Sequence, residues 1–298
     1  MIIIDYSQIS MATAFMFKNE LSSCTDNTSS LLKHSILYSI LTIKKKFEKK
    51  FGDNVVISCD FGSHYWRKDV FGNYKSGRKE TRDKSTMNWK LVFDTINELR
   101  AELDDNFNYK IMHVDGAESD DIIGVLAKWS QTNYIDKGFI SDEIKPILIV
   151  STDKDFIQLH KHDNITQWNP TTKKIIDKEK NVASFINCHI AKGDSGDYIP
   201  NCLSADNVFV DKIRQTPVSK KRLAEFAEIG IEACRTDTER RNWARNELLI
   251  SFDKIPDNIY TAIVQEYEKE KPCYTREKLY NYFIKNKMKL LINEIESF

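Results

Sequence analysis

The chain has 298 residues, 41% hydrophobic and 30% charged, enough for one large domain or two modest ones. Lysine plus arginine (44) balance aspartate plus glutamate (44), so net charge neither implies nor excludes a nucleic-acid partner; only segregation of the charges can do so. No apolar run of about 18 residues exists, which excludes a membrane-spanning helix, and Ile2-Ile3-Ile4 begins at once with no pattern of a secretory signal.

Four short apolar runs read as buried parallel strands: Ile2–Ile4, Val55–Cys59, Ile111–Val114 and Ile147–Val150, with Ile165–Trp168 as a further one. Helical periodicity lies between them, over Ser29–Phe51, Ser85–Leu103 and Ser119–Ser130. In the second of these, Trp89, Val92, Phe93, Ile96, Leu99 and Leu103 share one face. Strands alternating with helices predict an α/β, doubly wound, mostly parallel sheet. From about residue 182 only helices are predicted: Val182–Lys192, Ser219–Ile229, Thr238–Ser251, Asp257–Lys269 and Arg276–Ser297. A C-terminal helical domain packed on the sheet is the simplest architecture. Six scattered cysteines (Cys24, Cys59, Cys188, Cys202, Cys234, Cys273) form no C-x-x-C pair, as expected of reduced thiols in a cytosolic protein.

Each strand runs into carboxylates. Asp5 follows the first and Asp60 the second; Glu118-Ser119-Asp120-Asp121 follows the third and Asp153-Lys154-Asp155 the fourth. Parallel strands share one carboxyl edge, where α/β proteins bind ligands, so these groups are predicted to converge. Asp194 and Asp197, in Gly193-Asp194-Ser195-Gly196-Asp197, open the helical region and can close over that edge. A single D-x-D usually marks a helix cap; the combination does not. Crowded carboxylates cannot all stay ionised without a cation, and Mg²⁺ is the usual partner beside phosphate. Two such ions roughly 4 Å apart activate water and stabilise a departing oxygen. The expected ligand set contains no His or Cys, which argues against zinc.

Basic residues segregate in two places. Residues 67–84 hold seven basic and three acidic side chains, among them Arg67, Lys75, Arg78, Lys79 and Arg82, with Tyr74 interleaved as a stacking face. Lys75 and Arg78 lie three apart, on one face if this piece is helical. The stretch Lys212, Arg214, Lys220, Lys221 and Arg222 has no acid beyond Asp211 and is suited to duplex phosphates.

The order Asp5, Asp60, Glu118-Ser119-Asp120-Asp121, Asp153-Lys154-Asp155, Gly193-Asp194-Ser195-Gly196-Asp197 resembles the structure-specific 5′ nucleases, or flap endonucleases, and Arg67…Tyr74-Lys75…Arg78 resembles their helical arch. Within that family the branch of T-even bacteriophages that removes RNA primers is similar over almost the whole chain. The resemblance implies a PIN-like nuclease domain over residues 1–185, an arch over about 62–88, and a duplex-binding helical domain over 186–298. It implies a Mg²⁺-dependent 5′→3′ exonuclease and flap endonuclease acting on RNA–DNA hybrid and DNA duplex ends, in which Mn²⁺ can substitute. By matching position, Asp5, Asp60, Glu118 and Asp120 would form one metal site and Asp120, Asp153, Asp155 and Asp197 the other, with Asp121 and Asp194 in support. Lys75 and Arg78 would touch the scissile phosphate and act in catalysis.

The resemblance further implies a monomer in the host cytoplasm, with a single-strand-binding protein and a sliding clamp as candidate partners. A clamp peptide would fall to the C-terminal Ile295-Glu296-Ser297-Phe298, since the first strand begins at residue 2. Family members of cellular origin follow the second acidic motif with a glycine hairpin; here Ile199-Pro200-Asn201-Cys202-Leu203 follows, so a different duplex grip is expected. Two rivals remain. A PIN-type single-strand ribonuclease needs no basic loop and helical region, and a non-catalytic nucleic-acid-binding module would tolerate loss of the acids.

Overall fold

The computed structural model describes residues 1–23, 28–62, 64–137, 142–271 and 274–298; Cys24 and Cys273 lie outside the described residues. The chain opens with β1 (Ile2–Asp5), α1 (Tyr6–Met16), α2 (Lys18–Ser23), α3 (Thr28–Phe51) and β2 (Val55–Ser58). Two short helices, α4 (Trp66–Val70) and α5 (Arg78–Asp83), precede α6 (Trp89–Asn106), β3 (Lys110–Met112) and α7 (Ser119–Asn133). An antiparallel pair, β4 (Ile135–Asp136) and β5 (Glu143–Ile144), leads to β6 (Ile147–Val150), β7 (Ile165–Asn169) and β8 (Lys174–Ile175). Helices α8 (Val182–Lys192), α9 (Lys220–Ile229), α10 (Asp237–Ile250), α11 (Asp257–Glu268), α12 (Arg276–Lys285) and α13 (Lys289–Ile292) complete it.

The main sheet has the order β3-β2-β1-β6-β7-β8 and is parallel except at the β8 edge. Its central strands β1, β2 and β6 are buried along their whole length because helices cover both faces. Ile2, Ile4, Val55, Ile57, Leu148 and Val150 face a layer built with α3 and α6. Ile3, Val56, Met112, Ile147 and Ile149 face the opposite layer, built with α7 and α11. This is the doubly wound α/β arrangement expected from the strand–helix alternation.

Three local expectations change. Helices α1 and α2 were not anticipated: the buried face of α1 is Tyr6, Ile9, Ser10, Thr13 and Ala14, too polar to stand out as an apolar stripe. Helix α6 starts at Trp89 rather than Ser85, because Asn88 caps it by accepting from the Leu91 backbone N–H at 3.1 Å. The expected single helix from Arg276 to Ser297 breaks after Lys285, where Lys287 adopts a φ of 56° and buried Met288 turns inward.

That break returns the chain to the core. Leu279, Phe283, Leu291 and Phe298 join the layer over α3 and α6, and the Phe298 ring lies 5.4 Å from Phe107 and 5.2 Å from Phe283. Lys44 donates to the Ser297 carbonyl at 2.9 Å. The last residues, Ile295 to Phe298, are therefore packed onto this layer. Among the described residues no helix is long and apolar enough to cross a membrane.

Candidate metal centre and nuclease site

Strand register brings the acids together. Asp5 pairs with Ser58, and Ile4 with both Ile57 and Val150, so the carboxyl ends of β1, β2 and β6 lie level. Asp5 ends β1 and caps α1, accepting from Gln8 N at 3.1 Å and from Ser151 Oγ at 3.1 Å. Asp60 accepts from Ser119 N at 2.9 Å and from Ser7 Oγ at 2.7 Å. Asp153 caps the turn Lys154–Lys161 by accepting from Asp155 N at 2.9 Å. Glu118 caps α7, and Asp120 sits in its first turn. An open cleft of about 400 Å³ is lined by Asp120, Asp153, Asp155, Asp194 and Asp197 together with Lys75 and Arg78.

These carboxylates disturb one another. Burial, then the charge of Asp60, pushes Asp5 up to about 7. Burial, then Asp153, lifts Asp155 to about 7, and burial with Asp153 and Asp5 raises Asp120 well above the ordinary range. Burial would raise Glu118 too, but Lys75 and Arg67 overcome it and hold that carboxyl below its usual value. The His189 ring, and Lys154 beside it, hold Asp194 down. An oxygen-rich cluster that resists full ionisation is what a hard divalent cation relieves, so the residues present fit such an ion.

The basic arm is a turn rather than a helical face. Lys75 adopts a left-handed φ of 55°, and its backbone N–H donates to the Asp197 carbonyl at 2.9 Å. That turn aims both cations at the acids: Lys75 Nζ pairs with Glu118 and lies 3.6 Å from Asp197, while Arg78 donates to Asp197 at 2.7 Å. Gly77 leaves room for the Tyr198 ring, whose far end lies 1.9 Å from where a Cβ would stand.

Three residues have other tasks than those expected from sequence. Arg67, read as a nucleic-acid contact, is 3% exposed. Its guanidinium donates to Glu118 and Asp121 at 2.9 Å each and to the Leu249 carbonyl at 2.8 Å. Tyr74, read as a stacking face, is buried with its hydroxyl donating to Glu118 at 2.9 Å. Asp121, expected in support of the metal ligands, is buried beneath Glu118, accepting from Trp66 Nε1 at 3.1 Å and Glu118 N at 3.0 Å. Arg222 is buried against Glu239 at 2.7 Å and the Ala233 carbonyl at 2.7 Å. The physical reason is common to all: each polar group meets a charge or a hydrogen-bond partner from another segment, and the two leave the solvent together. Lys79, Lys212, Arg214, Lys220 and Lys221 are exposed, and Arg82 is half-buried. Lys212 also donates to Glu80 of α5 at 3.1 Å.

Sequence reading missed two features. His189 in α8 stands between Asp155 and Asp194, with ring nitrogens 3.4 and 3.5 Å from their carboxylates. The expectation of a site without histidine is thus overturned; no local motif announces a residue 34 positions from Asp155. The second is the clamp on the loop after Asp197. Asn242 donates to the Cys202 and Ser204 carbonyls at 3.0 and 2.9 Å, and Asn246 to the Ile190 and Pro200 carbonyls at 2.8 Å each. The two lie one turn apart on α10 and hold this loop without a glycine hairpin.

Comparison with known proteins agrees with this geometry. Residues 1–186 match the family described as the 5′-3′ exonuclease, N-terminal resolvase-like domain, and residues 185–298 match the C-terminal domain of T4 RNase H. The chain is 34% identical to the ribonuclease H of Enterobacteria phage T4, over 99% of this chain and 95% of that protein. It is 31% identical to a 5′-3′ exonuclease of Buchnera aphidicola subsp. Schizaphis graminum, over 67% of this chain and 64% of that one. A crystal structure of the bacteriophage T5 flap endonuclease, in a pseudo-enzyme-product complex with DNA and metal ions, shares the fold. It has a TM-score of 0.62 at 17% identity, covering 90% of this chain and 99% of that one. Acids level along one sheet edge, a basic turn facing them and full-length similarity together make the chain a phosphodiester-cleaving nuclease that belongs to the 5′-3′ exonuclease family, alongside the phage ribonuclease H and flap endonucleases.

Proposed function

We propose that this nuclease holds two Mg²⁺ ions and removes nucleotides from the 5′ ends of RNA–DNA hybrid and DNA duplexes, including flaps, as in lagging-strand primer removal. The observation that carries the proposal is the convergence of Asp5, Asp60, Asp120, Asp153, Asp155, Asp194 and Asp197 at one sheet edge, with three of these carboxyls raised by burial and mutual repulsion. Asp5, Asp60 and Asp120, with Glu118, would hold one ion, and Asp120, Asp153, Asp155 and Asp197 the other. Mn²⁺ fits the same oxygen donors. Bound there, the cations would activate water and stabilise the departing oxygen.

The chain's own residues supply the rest. Ser7, Ser119 and Ser151 fix the carboxylates of Asp5 and Asp60 through hydrogen bonds of 2.7–3.1 Å. Arg67 neutralises Glu118 and Asp121 beneath the cleft and so sets the start of α7. Lys75 and Arg78 stand where the scissile phosphate would lie against the acids, and can leave Glu118 and Asp197 for its oxygens as charge develops. Residues 186–298 would grip the duplex, with exposed Lys212, Arg214, Lys220 and Lys221 against phosphates and Lys79 and Arg82 reaching from the arch. The location would be the host cytoplasm.

The test is a 5′-labelled RNA–DNA hybrid and a matched flap substrate, each with and without Mg²⁺. Short products from the 5′ end of the hybrid and a single cut at the flap junction, both dependent on Mg²⁺, are expected. Cutting confined to single-stranded RNA would overturn the proposal in favour of a ribonuclease of the related single-strand type.

A further inference from the structure

Gln167 stands in the middle of β7, paired with Ile149 in the apolar run of β6. It is 1% exposed. An amide buried inside a sheet is costly unless its hydrogen-bonding groups are satisfied, and here all of them are. Nε2 donates to the Ser151 carbonyl at 3.1 Å and to the Asp153 carbonyl at 2.7 Å. Oε1 lies 3.1 Å from Nε2 of His160, itself buried.

Chemistry fixes the direction of each bond. The backbone N–H of Glu179 donates to His160 Nδ1 at 3.3 Å, so that nitrogen carries no proton. Burial holds the ring below its usual pKa, in keeping with a neutral imidazole. The neutral ring then has its proton on Nε2 and donates it to the Gln167 oxygen. Both amide hydrogens of Gln167 are left for the two carbonyls, which only accept. Turning the amide over would set its oxygen against two carbonyl oxygens and its N–H groups against a donor.

The two carbonyls belong to the turn after β6 that bears Asp153 and Asp155. Ser151 is the hub of that turn: its Oγ donates to Asp5 at 3.1 Å and accepts from the Asp153 N–H at 3.1 Å. The charge of Asp153 raises both Asp5 and Asp155, so these carboxylates push one another apart when ionised. A neutral clamp anchored in the neighbouring strand keeps their backbone in place against that repulsion.

We propose that Gln167 is a positioning residue for the metal-binding turn: its amide sets the Ser151 and Asp153 carbonyls, and His160 sets the amide. The role rests on reading Asp153 and Asp155 as metal ligands. Its rival is a polar network that only fills the core, which would affect stability and leave metal affinity alone.

The full-length protein, stripped of metal and without nucleic acid, is titrated with Mn²⁺ by calorimetry; Mn²⁺ takes the same oxygen donors as Mg²⁺. Gln167→Met keeps the side-chain length but has no hydrogen to donate. Loss of an outer partner of a metal ligand typically costs about 10–100-fold in affinity, so the variant should bind Mn²⁺ at least about tenfold more weakly. Unchanged affinity with a lowered melting temperature would overturn the positioning role. If the variant does not fold, ¹⁵N NMR of the wild type decides: His160 protonated on Nε2 alone supports the relay, and a proton on Nδ1 at neutral pH overturns it. Cleavage of the 5′-labelled hybrid with Mg²⁺ by the wild type is run in parallel. Normal cleavage, with Mn²⁺ affinity indifferent to Gln167, removes this inference only. No cleavage, with Mn²⁺ affinity that depends on Gln167, removes the proposed substrate reading only.

Discussion

The ammonium of Lys75 pairs with the carboxylate of Glu118, 43 positions away, with the two side chains only 8% and 2% exposed. Lys75 is held in the charged form against burial by Glu118 and Asp197. The pair therefore keeps a cation at the rim of the acid cluster. Lys75→Ala should slow single-turnover cleavage by about 100-fold while weakening duplex binding far less. An unchanged rate in rapid-quench measurements would take the arm out of the mechanism.

Asp155→Asn and Asp120→Asn should each lower Mg²⁺-dependent cleavage by on the order of 10³-fold or more, as expected when a member of a cooperating site is removed. Both variants should stay folded and bind duplex, because each change removes a like charge from a repulsive cluster. Near-normal rates in either variant would contradict the two-ion assignment.

Stability should depend on pH and metal together. Asp5 and Asp155 rise from 3.8 to about 7 on folding, so the metal-free folded state holds protons that the unfolded chain releases. A raised pKa stabilises fully below the unfolded value and loses that contribution as pH climbs through the folded one. Chelator-treated protein should thus lose melting temperature between about pH 5 and about pH 8. Added Mg²⁺ should restore more of it at the higher pH, where it need not displace protons. A flat thermal profile across that range would show that the acids do not oppose one another.

Arg67→Ala should destabilise the fold by about 3–5 kcal/mol, since it leaves Glu118 and Asp121 buried without their counter-charge. Denaturant titration measures this. The salt dependence of duplex binding should not change; a shallower slope would return Arg67 to the nucleic-acid interface.

Lys220→Ala, Lys221→Ala and Arg214→Ala should each reduce the salt slope of duplex affinity by about 1, as expected for a lost phosphate contact. Arg222→Ala should instead lower stability with the slope intact, because its guanidinium is committed to Glu225, Glu239 and the Ala233 carbonyl.

Much of the framework was legible in the chain. The strands at Ile2, Val55 and Ile147 are apolar runs that end at acids, and parallel pairing needs nothing more to place those acids on one edge. Helix α1 was not legible, because a cap at Asp5 followed by a buried face of Ser10, Thr13 and Ala14 lacks hydrophobic contrast. The break at Lys287 was hidden because Met288 and Leu291 continue an apolar pattern on either side of it.

By itself the sequence determined which residue types stand at the sheet edge, since strand period and chain direction are local properties. Only the tertiary structure decided which charged side chains face the cleft. Arg67, Tyr74, Asp121 and Arg222 are buried because each meets an opposite charge or a hydrogen-bond partner from a distant segment. His189 stands between Asp155 and Asp194 for the same reason: burial of a polar group is settled by its partners in space, and a linear pattern does not record them.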